Sequence, residues 1–133
     1  MTSQPETVGT PMIRTDFSDP AGWETLRTAV ETPNEDDFLA HVHLVDDQAY
    51  RDMTAEQLLP LIGPHSLFIV ADRRAISRFG QPLLCIYRDG RRTEQLRVIA
   101  RELWSIENNI SLGNMDWDEF TRAADEDGVF RGF

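Results

Sequence analysis

Ser66-Leu67-Phe68-Ile69-Val70-Ala71 is the run that decides the fold. It is apolar from Leu67 onward with no polar alternation, as expected of a strand covered on both faces of a parallel sheet. Gly63-Pro64 before it and Asp72 after it bound the run, and it is placed at the centre of the sheet. Working outward, Met12-Ile13-Arg14-Thr15 reads as a first strand. Ser18 or Asp19 then caps a helix with Pro20 in its first turn, where a missing N–H costs nothing. That helix runs to about Glu31, with Trp23, Leu26, Ala29 and Val30 on one apolar face. Phe38 to Val45, rich in strand formers and bounded by acidic turns, reads as a buried strand. Thr54-Ala55-Glu56-Gln57 has the capping-box pattern and opens a helix reaching Leu61.

Downstream, Asp72 caps a short helix or turn through Phe79, and Pro82 to Tyr87 forms the next strand. Asp89-Gly90 signals a hairpin into Glu94 to Ile99, where Leu96 and Val98 share one face and Gln95, Arg97 and Ile99 the other. The helical period from Ala100 to about Asn109 puts Leu103, Ile106 and Ile110 together, and Gly113 suits a left-handed helix stop. Asp116 caps a last helix in which Trp117, Phe120 and Ala124 share a face and Glu119 completes an Asp-x-x-Glu capping pair. Gly128 and Gly132 flank Val129-Phe130-Arg131, an extended segment expected to dock Phe130 and Phe133 on the body. The order β-α-β-α-β-α-β-β-α-α predicts an α/β three-layer sandwich. Its central sheet is mostly parallel, of about five strands, with the last strand antiparallel at an edge, followed by a C-terminal helical pair. Residues 1–11 read as a flexible lead-in, and 12–133 as a single domain large enough to bury a core.

Composition narrows the chemistry. The 133 residues carry a net charge of −10, which argues against general nucleic-acid binding and favours solubility or a basic partner. All 13 basic residues are arginine, so lysine-based Schiff-base and phosphate-gripping chemistry is excluded. Cys85 is alone in an apolar run and reads as a small buried hydrophobe. No secretory signal and no apolar run of membrane-spanning length is recognisable, so the expectation is a cytoplasmic protein that does not enter the membrane.

Ligands of open parallel sheets bind beyond the carboxyl ends of the strands, where this sequence puts Asp16, Asp46, Asp47 and Asp72. Carboxylates so placed could hold Mg²⁺; aspartate is equally a preferred cap at strand-to-helix joins, and no cofactor is assigned on this basis. His41 and His43 alternate on one strand at a spacing that could ligate zinc, but a third ligand is missing, so no metal site is assigned. Arg73, Arg74, Arg78, Arg88, Arg91, Arg92 and Arg97 could bind an anion, or pair with the chain's own excess acid. Glu107, Asn108, Asn109, Asn114 and Asp116 form a polar corner between the last two helices, suited to tying off loose backbone groups or to a small pocket.

The motifs Trp104-Ser-Ile-Glu-Asn-Asn-Ile-Ser-Leu-Gly-Asn-Met-Asp-Trp-Asp-Glu-Phe120 and Asp127-Gly-Val-Phe-Arg-Gly-Phe133 resemble those of a family of uncharacterised small actinobacterial proteins. Arg14-Thr-Asp-Phe-Ser-Asp19 with Trp23, and His65-Ser-Leu-Phe-Ile-Val-Ala-Asp72, extend the likeness over nearly the whole chain. The resemblance implies an actinobacterial, cytoplasmic, single-domain protein, and it transfers no catalytic residue.

Two functions follow as expectations. The first is an acidic, non-enzymatic interaction protein, immunity-like in blocking a basic partner such as a toxin nuclease, with steering by charge. Its contact residues would be Asp116, Asp118, Glu119, Asp125, Glu126 and Asp127, with Asp36, Asp37, Asp46 and Asp47 as a second patch. The alternative is a small-ligand binder or enzyme using Mg²⁺-associated aspartates at the strand ends.

Overall fold

The computed structural model describes residues 9–63, 65–90 and 92–133. Most of the expected lead-in, residues 1–8, and also Arg91 therefore lie outside the described residues. Strands β1 (Thr10–Arg14), β2 (Val42–Val45), β3 (Leu67–Ala71), β4 (Pro82–Asp89), β5 (Arg92–Ile99) and β6 (Val129–Phe130) form one sheet in the order β2-β1-β3-β4-β5-β6. The helices are α1 (Pro20–Glu31), α2 (Ala55–Leu58), α3 (Arg73–Ser77), α4 (Leu103–Ser111) and α5 (Trp117–Ala123). Single 3₁₀ turns at Gln48–Tyr50, Leu59–Leu61 and Ala100–Glu102 join or extend them. The first strand starts at Thr10 rather than Met12, because Thr10 and Pro11 already pair with Val42 and His43 and are buried.

β3 lies inside the sheet, parallel to β1 and antiparallel to β4. Its alternate side chains feed two cores. Leu67, Ile69 and Ala71 join Met12, Trp23, Leu26, Leu83, Val98, Leu103, Ile106 and Trp117, while Phe68 and Val70 join Ile13, Leu58 and Ile86. Covering on both faces is what removed polar residues from the run, and each such side chain contributes roughly 1.5–3 kcal/mol of burial.

The sheet has six strands, not five, and its antiparallel member is β4 rather than the last strand. A parallel crossover needs a dozen or more residues, usually with a helix long enough to span the sheet. α3 has five residues, so the chain turns at Arg78–Gln81 and returns beside β3. The β4–β5 hairpin forms as expected, with Asp89 opposite Arg92, and it restores β5 to the direction of β1 to β3. Val129–Phe130 then adds parallel to β5 as the sixth strand.

The segment Phe38 to Val45 is shorter and less buried as a strand than its composition suggests. Only Val42–Val45 pairs, at the outer margin of the sheet, and Phe38 and Leu39 are substantially exposed. The caps at Asp19, Thr54 and Asp72 form as read, including the reciprocal Thr54–Gln57 box. Asp116 does not: its side chain makes no cap bond, so the pair with Glu119 is absent and only the backbone of Asp116 accepts from Glu119 N–H. Gly113, at φ 73°, ends α4, with Gly113 N–H on Ile110 O and Asn114 N–H on Asn109 O, a paired closure that favours glycine. Phe130 is fully buried against Phe120, whereas Phe133 touches both rings from outside and stays largely exposed.

Candidate functional site

β1, β2, β3 and β5 all end at one edge of the sheet, as the parallel registers of β1 with β2 and β3 and the two reversals at β4 require. That edge carries the expected aspartates, but the structure gives each a local occupation. Arg14, the last residue of β1, is buried there. Its guanidinium lies 4.3 Å from the Phe17 ring centre and 4.9 Å from that of Trp23. It donates to the Asp16 carbonyl at 3.1 Å and to an Asp46 carboxylate oxygen at 3.1 Å. The Asp16 carboxylate accepts from Ser18 Oγ at 2.9 Å, and Asp47 caps the 3₁₀ turn through Ala49 N–H.

Asp72 caps α3 through Ala75 N–H and takes both arms of the Arg97 guanidinium at 2.8 Å. Among the described residues no group of three or more His, Cys, Asp or Glu side chains is placed to hold a metal ion. His41 and His43 are exposed, not on a buried strand, and His41 precedes β2 altogether.

The expected arginine group divides by partner. Arg97 and Arg92 pair with acids, the latter with Glu94 at 3.1 Å and Asp118 at 3.7 Å. Arg88 ties the loop before β3 together by donating to the carbonyls of His65, Leu59 and Gly63. Arg73, Arg74 and Arg78 are exposed on and after α3.

In the polar corner the important residue is Glu107, only 3% exposed. It accepts from Thr10 Oγ1 at 3.0 Å, His41 N–H at 2.6 Å and Ser111 Oγ at 2.8 Å, clasping α4 to the start of β1 and the approach to β2. Asn109 Nδ2 donates to the Ser105 carbonyl one turn back on α4 at 2.8 Å. Asn108 lies partly buried and Asn114 exposed beside it.

The acidic segments do not form one surface. Asp46 and Asp47 follow β2 at one margin of the sheet, while Asp125 and Asp127 precede β6 at the other. Asp125 and Asp127 hold Arg131 at 2.8 and 2.7 Å. The Arg131 guanidinium brings the Asp127 carboxyl down to about 2. Asp116 and Glu126 are exposed, Glu119 is partly buried, and none of these three has a cationic side chain within 4 Å among the described residues. Asp36 and Asp37 sit in the turn after α1, where Asn34 accepts from Asp36 N–H.

Sequence reading missed a cleft of about 710 Å³ at the same carboxyl edge. Its walls come from α1 (Gly22, Thr25, Ala29), the turn from Ile76 to Gln81, the end of β5 (Ile99, Arg101) and Arg131. Gly22 lets α1 and α3 approach, since a Cβ there would stand 2.8 Å from Ile76 Cγ2. The turn is locked to β5 by Ala100 N–H, which reaches the Gly80 and Gln81 carbonyls at 3.2 and 3.1 Å. Ile76 and Ile99 are buried in the floor, and Phe79 on the lining is fully exposed.

Arg78, Arg101 and Arg131 stand around this floor. Arg131 is neutralised by its two aspartates, but neither Arg78 nor Arg101 has an acidic partner within 4 Å among the described residues. Arg101 was invisible as a site residue because its placement depends on the direction of β5, which the hairpin and the reversed β4 decide together.

Fold and cleft together define a mixed α/β protein with a mostly parallel sheet and an arginine-bearing opening beyond the strand ends. No helix among the described residues is long and apolar enough to cross a membrane. The chain belongs to a family described as a domain of unknown function (DUF6924), whose model matches residues 9–133. No curated protein matches it.

Proposed function

We propose that the protein binds a small anionic ligand in the cleft between α1, the Arg78–Gln81 turn and the end of β5. The observation that carries this reading is the pair Arg78 and Arg101, cations with no carboxylate within 4 Å among the described residues, beside an apolar floor in a chain whose net charge is −10. Six arginines, Arg14, Arg27, Arg51, Arg92, Arg97 and Arg131, have carboxylate partners; of those without one among the described residues, Arg78 and Arg101 share a concave site and can orient a carboxylate or phosphate through their paired N–H donors. The size suits a ligand of ordinary cofactor or metabolite dimensions, since such sites run roughly 300–1,000 Å³. The cleft lies where open α/β sheets take their ligands, with arginines supplying the recognition expected earlier of aspartates and Mg²⁺. Calorimetric titration with phenyl phosphate tests it. Binding should be weakened at least tenfold in Arg78→Gln/Arg101→Gln, and binding that ignores that double substitution, or no binding at millimolar ligand, rejects the reading.

A second reading keeps the interaction function, immunity-like toward a basic protein partner. It is favoured by the exposed Asp116 and Glu126 and partly buried Glu119, none of which has a cationic side chain within 4 Å among the described residues. Long-range steering by such a surface falls with ionic strength. Capture of a basic protein from source-cell extract in low salt, lost in high salt and in Asp116→Asn/Glu119→Gln/Glu126→Gln, supports it; capture unchanged by the triple substitution rejects it.

A further inference from the structure

We propose that the anion taken by the arginine cleft is the head of an alkyl-chain acid whose chain lies in the adjoining apolar pocket beside Phe38 and Trp104. This rests on the cleft reading above and specifies its ligand.

The pocket, about 370 Å³, is bounded by the end of α1, the Thr32–Asn34 turn, Phe38 to Ala40, and the start of α4. It shares Ala29 and Arg101 with the arginine cleft, so the two openings adjoin along one side of α1. Their chemistry differs in the direction an amphipathic ligand needs. Around the cleft stand three guanidinium groups, whereas Arg101 is the one charged side chain on the pocket and marks its boundary with the cleft.

The pocket wall is built rather than loose. The Phe38 and Trp104 rings stack at 4.8 Å between centres and 8° between planes. Segment 38–41 is held to α4 by Glu107, which takes the His41 N–H at 2.6 Å. Phe38 and Leu39 nonetheless leave apolar surface open. An exposed aromatic and leucine on a fastened segment, next to an unpaired cation, fit a ligand with a chain at one end and an acid at the other.

The test is a calorimetric series of butanoate, octanoate and dodecanoate, with dodecanol as the uncharged control, followed in parallel by tryptophan fluorescence. Affinity should rise with length, by up to about threefold to fourfold per methylene buried. Octanoate and dodecanoate should shift the emission of Trp104, a shift missing in Trp104→Phe, and dodecanol should bind at least tenfold more weakly than dodecanoate. Leu39→Asp, at an already exposed position, should abolish the length dependence and leave butanoate and phenyl phosphate binding intact. If affinity is flat with length while the short anions still depend on Arg78 and Arg101, the chain inference is overturned and the anion cleft stands. If dodecanol equals dodecanoate, or no alkyl acid binds in an arginine-dependent way, the chain inference falls; if phenyl phosphate binding also ignores Arg78→Gln/Arg101→Gln, the reading beneath it falls too.

Discussion

Asp72 can be asked to show whether the strand-end aspartates are structural or reserve a metal site. It performs two jobs, capping α3 through Ala75 N–H and receiving Arg97 through two 2.8 Å bonds. The pair is neither surface nor core, with the side chains 28% and 17% exposed. Exposed pairs contribute about 0–1 kcal/mol, and removing one partner of a fully buried pair costs about 3–5. Interpolation gives about 2 kcal/mol for this one, and losing an aspartate cap adds about 1. Asp72→Ala, which removes both, should therefore cost about 3 kcal/mol, or roughly 9–12 °C in Tm for a chain of this size. Asp72→Asn keeps a capping oxygen and should lose only about 1–2 kcal/mol.

Urea unfolding of wild type, Asp72→Ala, Asp72→Asn, Arg97→Met and the Asp72→Asn/Arg97→Met pair supplies the energies. The two single costs should fail to add, with a coupling of about 1–2 kcal/mol, because each removes the same contact. Added Mg²⁺ should leave the wild-type Tm unmoved. Additive single costs, a loss below about 0.5 kcal/mol for Asp72→Ala, or a Mg²⁺-dependent rise in Tm abolished by Asp72→Asn would refute the assignment of Asp72 to cap and ion pair.

Other outcomes follow from single sites. Glu107→Ala leaves the donors of Thr10, His41 and Ser111 without their acceptor. It should cost about 3–4 kcal/mol in urea unfolding and speed amide exchange selectively across residues 38–45. The Asp127 carboxyl is held near 2 against an ordinary 3.8 by Arg131. The folded value is the lower one, so the stabilisation from this pair is complete above about pH 4 and disappears as pH falls through about 2. Carboxyl NMR of Asp127 should show that midpoint, and Arg131→Gln should return it to the ordinary range. Burial pushes the Cys85 thiol up to about 12. It should resist iodoacetamide at pH 8 in the folded protein and react fully in urea.

The sequence carried a good deal of this fold because the deciding signals are local. An unbroken apolar run at Leu67–Ala71 can only be satisfied by cover on both faces. The caps at Asp19, Thr54 and Asp72, the helix stop at Gly113 and the hairpin at Asp89-Gly90 are matters of a few adjacent residues. Segment 38–45 was misread in extent because composition cannot tell a strand inside a sheet from one at its margin; that depends on which neighbours arrive.

The site was less legible than the fold, and for a related reason. Asp16, Asp46 and Asp72 lie at the strand ends, but the charges of Asp46 and Asp72 are balanced by Arg14 and Arg97, which reach them from 32 and 25 residues away. The direction of β5 put Arg101 beside Arg78 and Ala29, and that direction is fixed by the failure of a five-residue α3 to carry the chain across the sheet. Sequence alone determined the periodicities, the stops and the burial of β3, since these are set by each residue's own backbone and solvation preferences. Only the tertiary structure decided which charges cancel and which arginines meet at the cleft, because pairing is a property of side chains brought within a few ångströms by the whole chain's path.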